Sequence, residues 1–394
     1  MKNCIILFST ADWDEPYWTN KQHTAKNLAE NGFDIIYVES IGLRGPRLNS
    51  SKDVNRIFGR IKTGLKCLVS GGRQVNSKIR VISPLSIPNP KNNVILRKIN
   101  ELMITFMLKR EKRYAQFNNV ILWSYHPYVS YLINKIEFDK VIYHCVDDLS
   151  QVPGIDPISF RNAEDLFLKK CNRIFVTTKS LLERCICINE NTEYYSNVVD
   201  YNHFSIPKEI TNTNIRLIKS SNKPKIVYHG VISDFKIDLE LLYNVMNKCD
   251  NYEFFIIGEE REGQKSNIIN LMEKLDNVHF LGYISYEDIP SYLSFMDVGI
   301  LPSLLNEYTY SMFPMKYYEY VAAKLPVVST PLGFTEYTKG PWLRVAKNAD
   351  NFKNAIKQSI LDGRLSDEES RNAVGDNTWQ GRTQKMLESI YSGS

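Results

Sequence analysis

Lys316 and Glu319 stand three residues apart, just behind Pro314, in the run PMKYYEYVAAKLPVVST. Proline in the first helical turn suits a helix start, because its missing N–H has no intrahelical partner there. Such a start presents free backbone N–H groups and the positive end of the helix dipole, a ready anion site. Lys316 sits beside it, and Glu319 follows on the same helical face. A cation at an anion-binding helix start, with a carboxylate one turn on, suits a nucleoside diphosphate. Lysine and the N–H groups would take the phosphates, and glutamate the ribose hydroxyls.

Elements of fixed type must hold these residues. Upstream, an apolar strand ends at Gly282, and a helix carries Ile289, Leu293 and Met296 at helical spacing. Asp297 then leads into the apolar strand Val298–Leu301, which Pro302 stops. Behind the helix, Pro326 introduces a further strand at Val327-Val328. This half begins at Lys225 with IVYHG and continues through a helix at Asp238–Lys248, a strand at Tyr252–Gly258 and a helix at Lys265–Leu275. The first half alternates in the same way. Strands are expected at Cys4–Phe8, Asp34–Val38, Arg80–Ile82, Asn119–Trp123, Lys140–His144 and Arg173–Thr177, with a helix at Asn20–Asn31 stopped by Gly32. Alternation of this kind implies parallel sheets covered by helices, an α/β protein. Residues 205–224 lack periodicity and are rich in Asn, Ser, Thr and Lys, which suggests a linker.

The pattern P-x-K-x-x-E-Y-x-A-x-x-x-P-V-V-S-T after F-L-G-Y and D-V-G-I-L-P resembles the donor-binding half of GT-B glycosyltransferases. In particular it resembles the family 4-like bacterial enzymes that build surface polysaccharides. The Met315-Lys316 pair is similar to the glucuronosyltransferase of xanthan synthesis, an inverting relative. The resemblance implies two Rossmann-like, doubly wound domains facing a central cleft. Residues 1–204 would form an acceptor-binding domain, 205–224 the linker and 225–375 the nucleotide-sugar-binding domain. Residues 376–394 would supply a last helix that packs back on the first domain. Gly230, Lys236, Gly258, Ser311, Met315, Lys316 and Glu319 are the implied donor-site residues. Many family members carry a second Glu eight residues before the ribose-binding one, where this chain has Ser311. That departure leaves retention and inversion both open.

Glycosyl transfer needs a stabilised leaving group, a base for the acceptor hydroxyl and alignment away from water. Asp147 and Asp148 close a buried-type strand, and adjacent carboxylates on extended chain point oppositely. One of them is expected to act as the base, the other to cap the next element. His126 ends a second such strand and is a candidate sugar ligand or a structural residue. The loop from Ser9 to Trp18 offers Asp12, Trp13 and Trp18 to an acceptor sugar. Asp12-Trp13-Asp14 spells D-x-D, a metal motif in another glycosyltransferase class, but it lies in the half that does not take the nucleotide. No metal and no cofactor beyond a UDP-linked sugar donor is expected.

A chain of 394 residues, 43% hydrophobic and 24% charged, fits two globular domains. Seven scattered cysteines without a CxxC pair fit a reducing cytoplasm. MKNCIILFST is too short an apolar run for a signal peptide or a membrane span. Residues 44–113 hold 17 Lys and Arg against three acids, a net +14, leaving −9 for the remainder of a chain of net +5. Within that block, Asn55–Val69 places Ile57, Phe58, Ile61, Leu65 and Leu68 on one helical stripe among Arg56, Arg60, Lys62 and Lys66. This stripe either covers the sheet or lies on an anionic membrane. The partners expected are therefore a nucleotide sugar, a saccharide or lipid-linked saccharide and the inner membrane face, rather than nucleic acid. Two other functions use the same nucleotide site: a sugar-nucleotide 2-epimerase and a non-catalytic binding protein.

Overall fold

The computed structural model describes residues 3–41, 51–87, 93–115, 117, 119–261 and 266–392. Arg44, Arg47 and Lys91 of the basic block, and the side chains of Arg56, Ile57, Phe58 and Arg60, lie outside the described residues. The chain forms two compact units. One comprises Met1–Tyr195 with Thr383–Ser394, the other Ser196–Arg382.

The first unit is built on eight strands: β1 (Asn3–Phe8), β2 (Asp34–Val38), β3 (Arg73–Gln74), β4 (Ile79–Ile82), β5 (Asn119–Ser124), β6 (Lys140–Cys145), β7 (Arg173–Val176) and β8 (Thr192–Tyr194). Their order is β3-β4-β2-β1-β5-β6-β7-β8, parallel throughout except for β3 on β4. Central strands such as Cys4–Phe8 are buried on both faces, which explains their unbroken apolar runs. Ile6, Phe8 and Leu122 face one core, and Ile5, Leu7 and Trp123 the other. The helix Trp379–Tyr391 contributes Met386, Leu387 and Ile390 to that second core. It enters the first unit from Thr383, while its opening turn belongs to the second unit.

The second unit carries β9 (Lys225–His229), β10 (Glu253–Ile257), β11 (Val278–Gly282), β12 (Val298–Leu301), β13 (Val327–Ser329) and β14 (Leu343–Val345). All six are parallel, in the order β11-β10-β9-β12-β13-β14. The order reverses between β9 and β12. In open α/β sheets ligands bind outside the carboxyl ends of the strands at such a switch point.

Three short strands, β3, β8 and β14, were not expected. Each lies at or next to a sheet edge and is too short and too exposed to show an apolar run. The expected linker is also corrected. Thr213–Ser220 is a helix capped by Asn212, whose side chain accepts from the Ile215 N–H at 2.9 Å. Ile215 and Ile218, three residues apart, are fully buried in the second unit's core. Residues 196–204, expected to end the first domain, likewise belong to the second unit. Ile218→Ala is predicted to destabilise the full chain in urea unfolding by about 2–4 kcal/mol. An unchanged transition would restore the linker.

Candidate functional site

The switch point of the second unit collects the Lys316 and Glu319 helix. This helix spans Met315–Ala322, and Pro314 is its N-cap rather than a first-turn residue. Proline brings no side-chain acceptor, so no side chain caps this start. The opposite face of the helix is held by aromatic packing. Phe313 stacks on Tyr318 at 5.5 Å, and Tyr317, Tyr320 and Val321 are buried in the core. Tyr320 fixes the helix against β9. Its hydroxyl accepts from the His229 backbone N–H at 3.0 Å and donates to the Val227 carbonyl at 3.3 Å.

Two glycines make room for Lys316. Gly230 has φ +129°, and a Cβ there would lie 2.1 Å from Lys316 Cε and 2.6 Å from its Nζ. Gly258 has φ +146°, and a Cβ there would lie 1.9 Å from the Gly230 carbonyl oxygen. Conformation disfavours a side chain at both positions; at Gly258 backbone excludes it as well, and at Gly230 it would displace the Lys316 terminus. The lysine stem lies across the bare backbone at the end of β9. Glu319, one turn further along the helix, is 7% exposed, and its Oε2 is 3.2 Å from His229 Nε2.

This contact is not an ion pair. Burial, aided by the Lys316 charge, holds the His229 imidazole well below its usual range, so it is neutral. Burial pushes the Glu319 carboxyl up to about 7, with Lys316 opposing. Nor is the ring nitrogen aligned for a hydrogen bond, despite the short separation. His229 is the site residue that the sequence reading missed. Its one local signal was a polar residue closing an otherwise apolar strand.

The remaining donor candidates lie around this centre. Lys236 is half-buried with its ammonium 5.7 Å from the Tyr308 ring, in a loop tied to residue 304 by the Leu304 N–H to Lys236 carbonyl bond of 2.9 Å. Ser311 is buried and closes the short helix Glu307–Tyr310. Met315 opens the Lys316 helix and is half-buried.

The first unit gathers a second set at the carboxyl ends of β1, β5 and β6. Asp148 is buried and caps the turn Leu149–Gln151. It accepts from the Ser150 N–H at 3.1 Å and the Ser150 hydroxyl at 2.6 Å, and pairs with Arg161. Arg161 in turn pairs with buried Glu164 at 3.0 Å. The lone pairs of Asp148 are thus engaged within the protein, whereas Asp147 is half-exposed. His126 is fully buried, its ring edge-on to Phe8, with neither nitrogen hydrogen-bonded to a described residue. Burial lowers it to about 3, so it is a neutral imidazole at physiological pH. Trp13 is buried between Trp18 and Tyr37, with centroids at 5.2 and 5.0 Å. Its backbone N–H donates to Glu39 at 2.9 Å. Asp12 is half-exposed, and Asp14 pairs with Arg73 at 2.6 Å.

Two units on mainly parallel sheets, together with the solved structures they resemble, place the chain in the GT-B fold class. Residues 223–362, which lie within the second unit, match the family described as Glycosyl transferases group 1. A putative teichuronic acid biosynthesis glycosyltransferase, TuaH of Bacillus subtilis, is 24% identical over 239 residues, 56% of this chain. The match spans 58% of the length of that curated relative. Among solved structures, sucrose-phosphate synthase from Thermosynechococcus elongatus superposes with TM-score 0.70 at 16% identity, over the whole of both chains. A glycosyltransferase from Rickettsia africae gives 0.68 at 16% identity, and HepE from Anabaena in complex with UDP gives 0.64 at 14%, each over the whole of both chains.

The raised Glu319 carboxyl has a stability consequence. Between the ordinary glutamate value and about 7, the folded chain binds a proton at Glu319 that the unfolded chain has lost. Stability from this residue therefore falls as pH rises through that window. Glu319→Gln removes the effect. It is predicted to stabilise the unliganded protein on the order of 3 kcal/mol at pH 8 and far less at pH 5. Thermal melts of both proteins at the two pH values test this, and a pH-independent difference would refute it.

Proposed function

We propose that this protein transfers a sugar from a nucleoside diphosphate donor, a UDP-sugar, to a saccharide or lipid-linked saccharide of a bacterial surface polysaccharide. The observation that carries this reading is the Lys316 ammonium laid over the bare end of β9, one helical turn from the buried Glu319 carboxylate. Lys316 and the uncapped helix start suit the diphosphate and stabilise it as it leaves. Glu319 suits the ribose. Lys236, Gly230, Gly258, Ser311 and Met315 complete the donor site, without a metal or a cofactor. The names of the relatives support the same chemistry: TuaH is described as a teichuronic acid biosynthesis enzyme, and HepE has been crystallised with UDP and with UDP-glucose.

In the first unit, Asp147 is the better base of its pair, because it is half-exposed whereas Asp148 is buried against Arg161 and Ser150. His126 offers a neutral donor or acceptor to a sugar hydroxyl, and Asp12, Trp13 and Trp18 suit the acceptor. Lys316→Ala and Glu319→Ala should each weaken UDP binding by roughly 10–100-fold in calorimetry. Wild-type affinity in both would sink the assignment. Asp147→Asn should lower kcat by about 10²–10⁴-fold with the fold intact. A full rate in that variant places the base elsewhere.

A weak contact with the inner face of an anionic membrane belongs to the same reading. No helix among the described residues is long and apolar enough to cross a membrane. Yet two helices, Ser51–Ser70 and Val94–Ala115, leave Ile61, Leu65, Leu102 and Phe106 exposed. Cys67 and Met107 of the same helices face the core, so the apolar stripe is divided between sheet and solvent. Lys62, Lys66, Lys98 and Lys109 are exposed along them. Apolar side chains with interspersed lysines suit an anionic interface. Co-sedimentation with phosphatidylglycerol vesicles should exceed that with phosphatidylcholine, and the double variant Leu65→Glu, Phe106→Glu should reduce it by about tenfold. Equal sedimentation of variant and wild type removes this contact.

A further inference from the structure

His229 lies outside every residue assigned above to the nucleotide, yet it stands in the middle of that site. It closes β9, directly before Gly230, and is 7% exposed. Its ring stands edge-on to Tyr320 at 5.0 Å and 89°, and its backbone N–H is held by the Tyr320 hydroxyl. The ring is thus fixed from two directions. Its Nε2 is buried, has no hydrogen-bond partner among the described residues, and lies 3.2 Å from Glu319 Oε2. A buried polar atom without a partner is costly, and native structures keep few of them. Here it faces a buried carboxylate, so the unpaired nitrogen and a carboxylate oxygen converge on one point.

The ligand that suits this point is a pair of neighbouring hydroxyls. Each hydroxyl is both donor and acceptor, so it meets a carboxylate and a neutral imidazole of either tautomer. A phosphate does not fit, because the carboxylate would repel it, and the cation at this site belongs to Lys316. We propose that His229 is a second ribose-binding residue. One ribose hydroxyl donates to Glu319, and its neighbour hydrogen-bonds to His229 Nε2. This rests on the reading of Lys316 and Glu319 as nucleotide ligands and adds selection for ribose over deoxyribose. A nucleotide lacking one hydroxyl leaves a buried group unpaired, and such sites discriminate strongly.

Calorimetry with UDP, 2′-deoxy-UDP and 3′-deoxy-UDP tests the proposal on the full chain. Wild type should bind UDP about tenfold or more tighter than either deoxy analogue. His229→Phe, which keeps a ring but no nitrogen, should weaken UDP by roughly tenfold. It should leave the affinity for one deoxy analogue nearly unchanged, so that this preference collapses toward one. His229→Gln, which restores an amide in reach of the site, should recover part of it. The idea is overturned if His229→Phe weakens all three ligands by one common factor, the mark of a purely structural role, or weakens none. If His229→Phe does not fold, the same comparison is made between His229→Gln and His229→Asn, and equal UDP-to-deoxy ratios in both and in wild type overturn it. Lys316→Ala separates the two levels. Undiminished UDP binding there refutes the nucleotide site itself, whereas weakened binding with an indifferent His229 refutes this residue alone.

Discussion

Glu319 is buried against a neutral imidazole with one lysine nearby, and the fold on its own gains little from that placement. Burial disfavours the carboxylate, and the Lys316 charge offsets this only in part. The arrangement persists because the residues around it leave the helix no alternative. Tyr320 follows Glu319 in the chain and is bonded to β9 at two backbone atoms. Phe313 and Tyr318 stack beneath. With the apolar face anchored in this way, the polar face of the same turn is delivered to the end of β9. Aromatic burial thus holds in place a helix turn whose buried polar groups the fold alone does not fully pair.

The first unit shows the complementary arrangement, in which polar groups are sorted by how far the protein already engages them. Asp148, Arg161 and Glu164 satisfy one another in a buried network. His126 is held neutral by burial, with apolar and aromatic neighbours. Trp13 is braced by Tyr37 and Trp18, so the loop that carries it is tied to the sheet. A network whose members satisfy one another is held rigid.

Much of this was legible in the residues. The central strands are continuous apolar runs because both faces are covered, and that pattern survives without coordinates. Short elements at the sheet margins, such as Leu343–Val345, carry no such run and were invisible. The helix Thr213–Ser220 was hidden for a related reason. With only Ile215 and Ile218 turned inward over eight residues, its periodicity is too brief to stand out from polar surroundings.

Lys316 and Glu319 could be paired from their spacing alone, because one helical turn relates them and a turn is a local geometry. The same logic showed that Asp147 and Asp148 diverge. That Asp148 pairs with Arg161 depended on a residue thirteen positions away and on another element. His229 is ninety residues from Glu319, and no local period connects them. Their meeting follows from β9 and β12 lying side by side at the point where strand order reverses. The sequence by itself therefore determined the types of the long, periodic elements, the helix-start cation and its carboxylate. Only the tertiary structure decided which carboxylate is buried, which is paired and which histidine stands against it, because charge state and burial depend on neighbours distant along the chain.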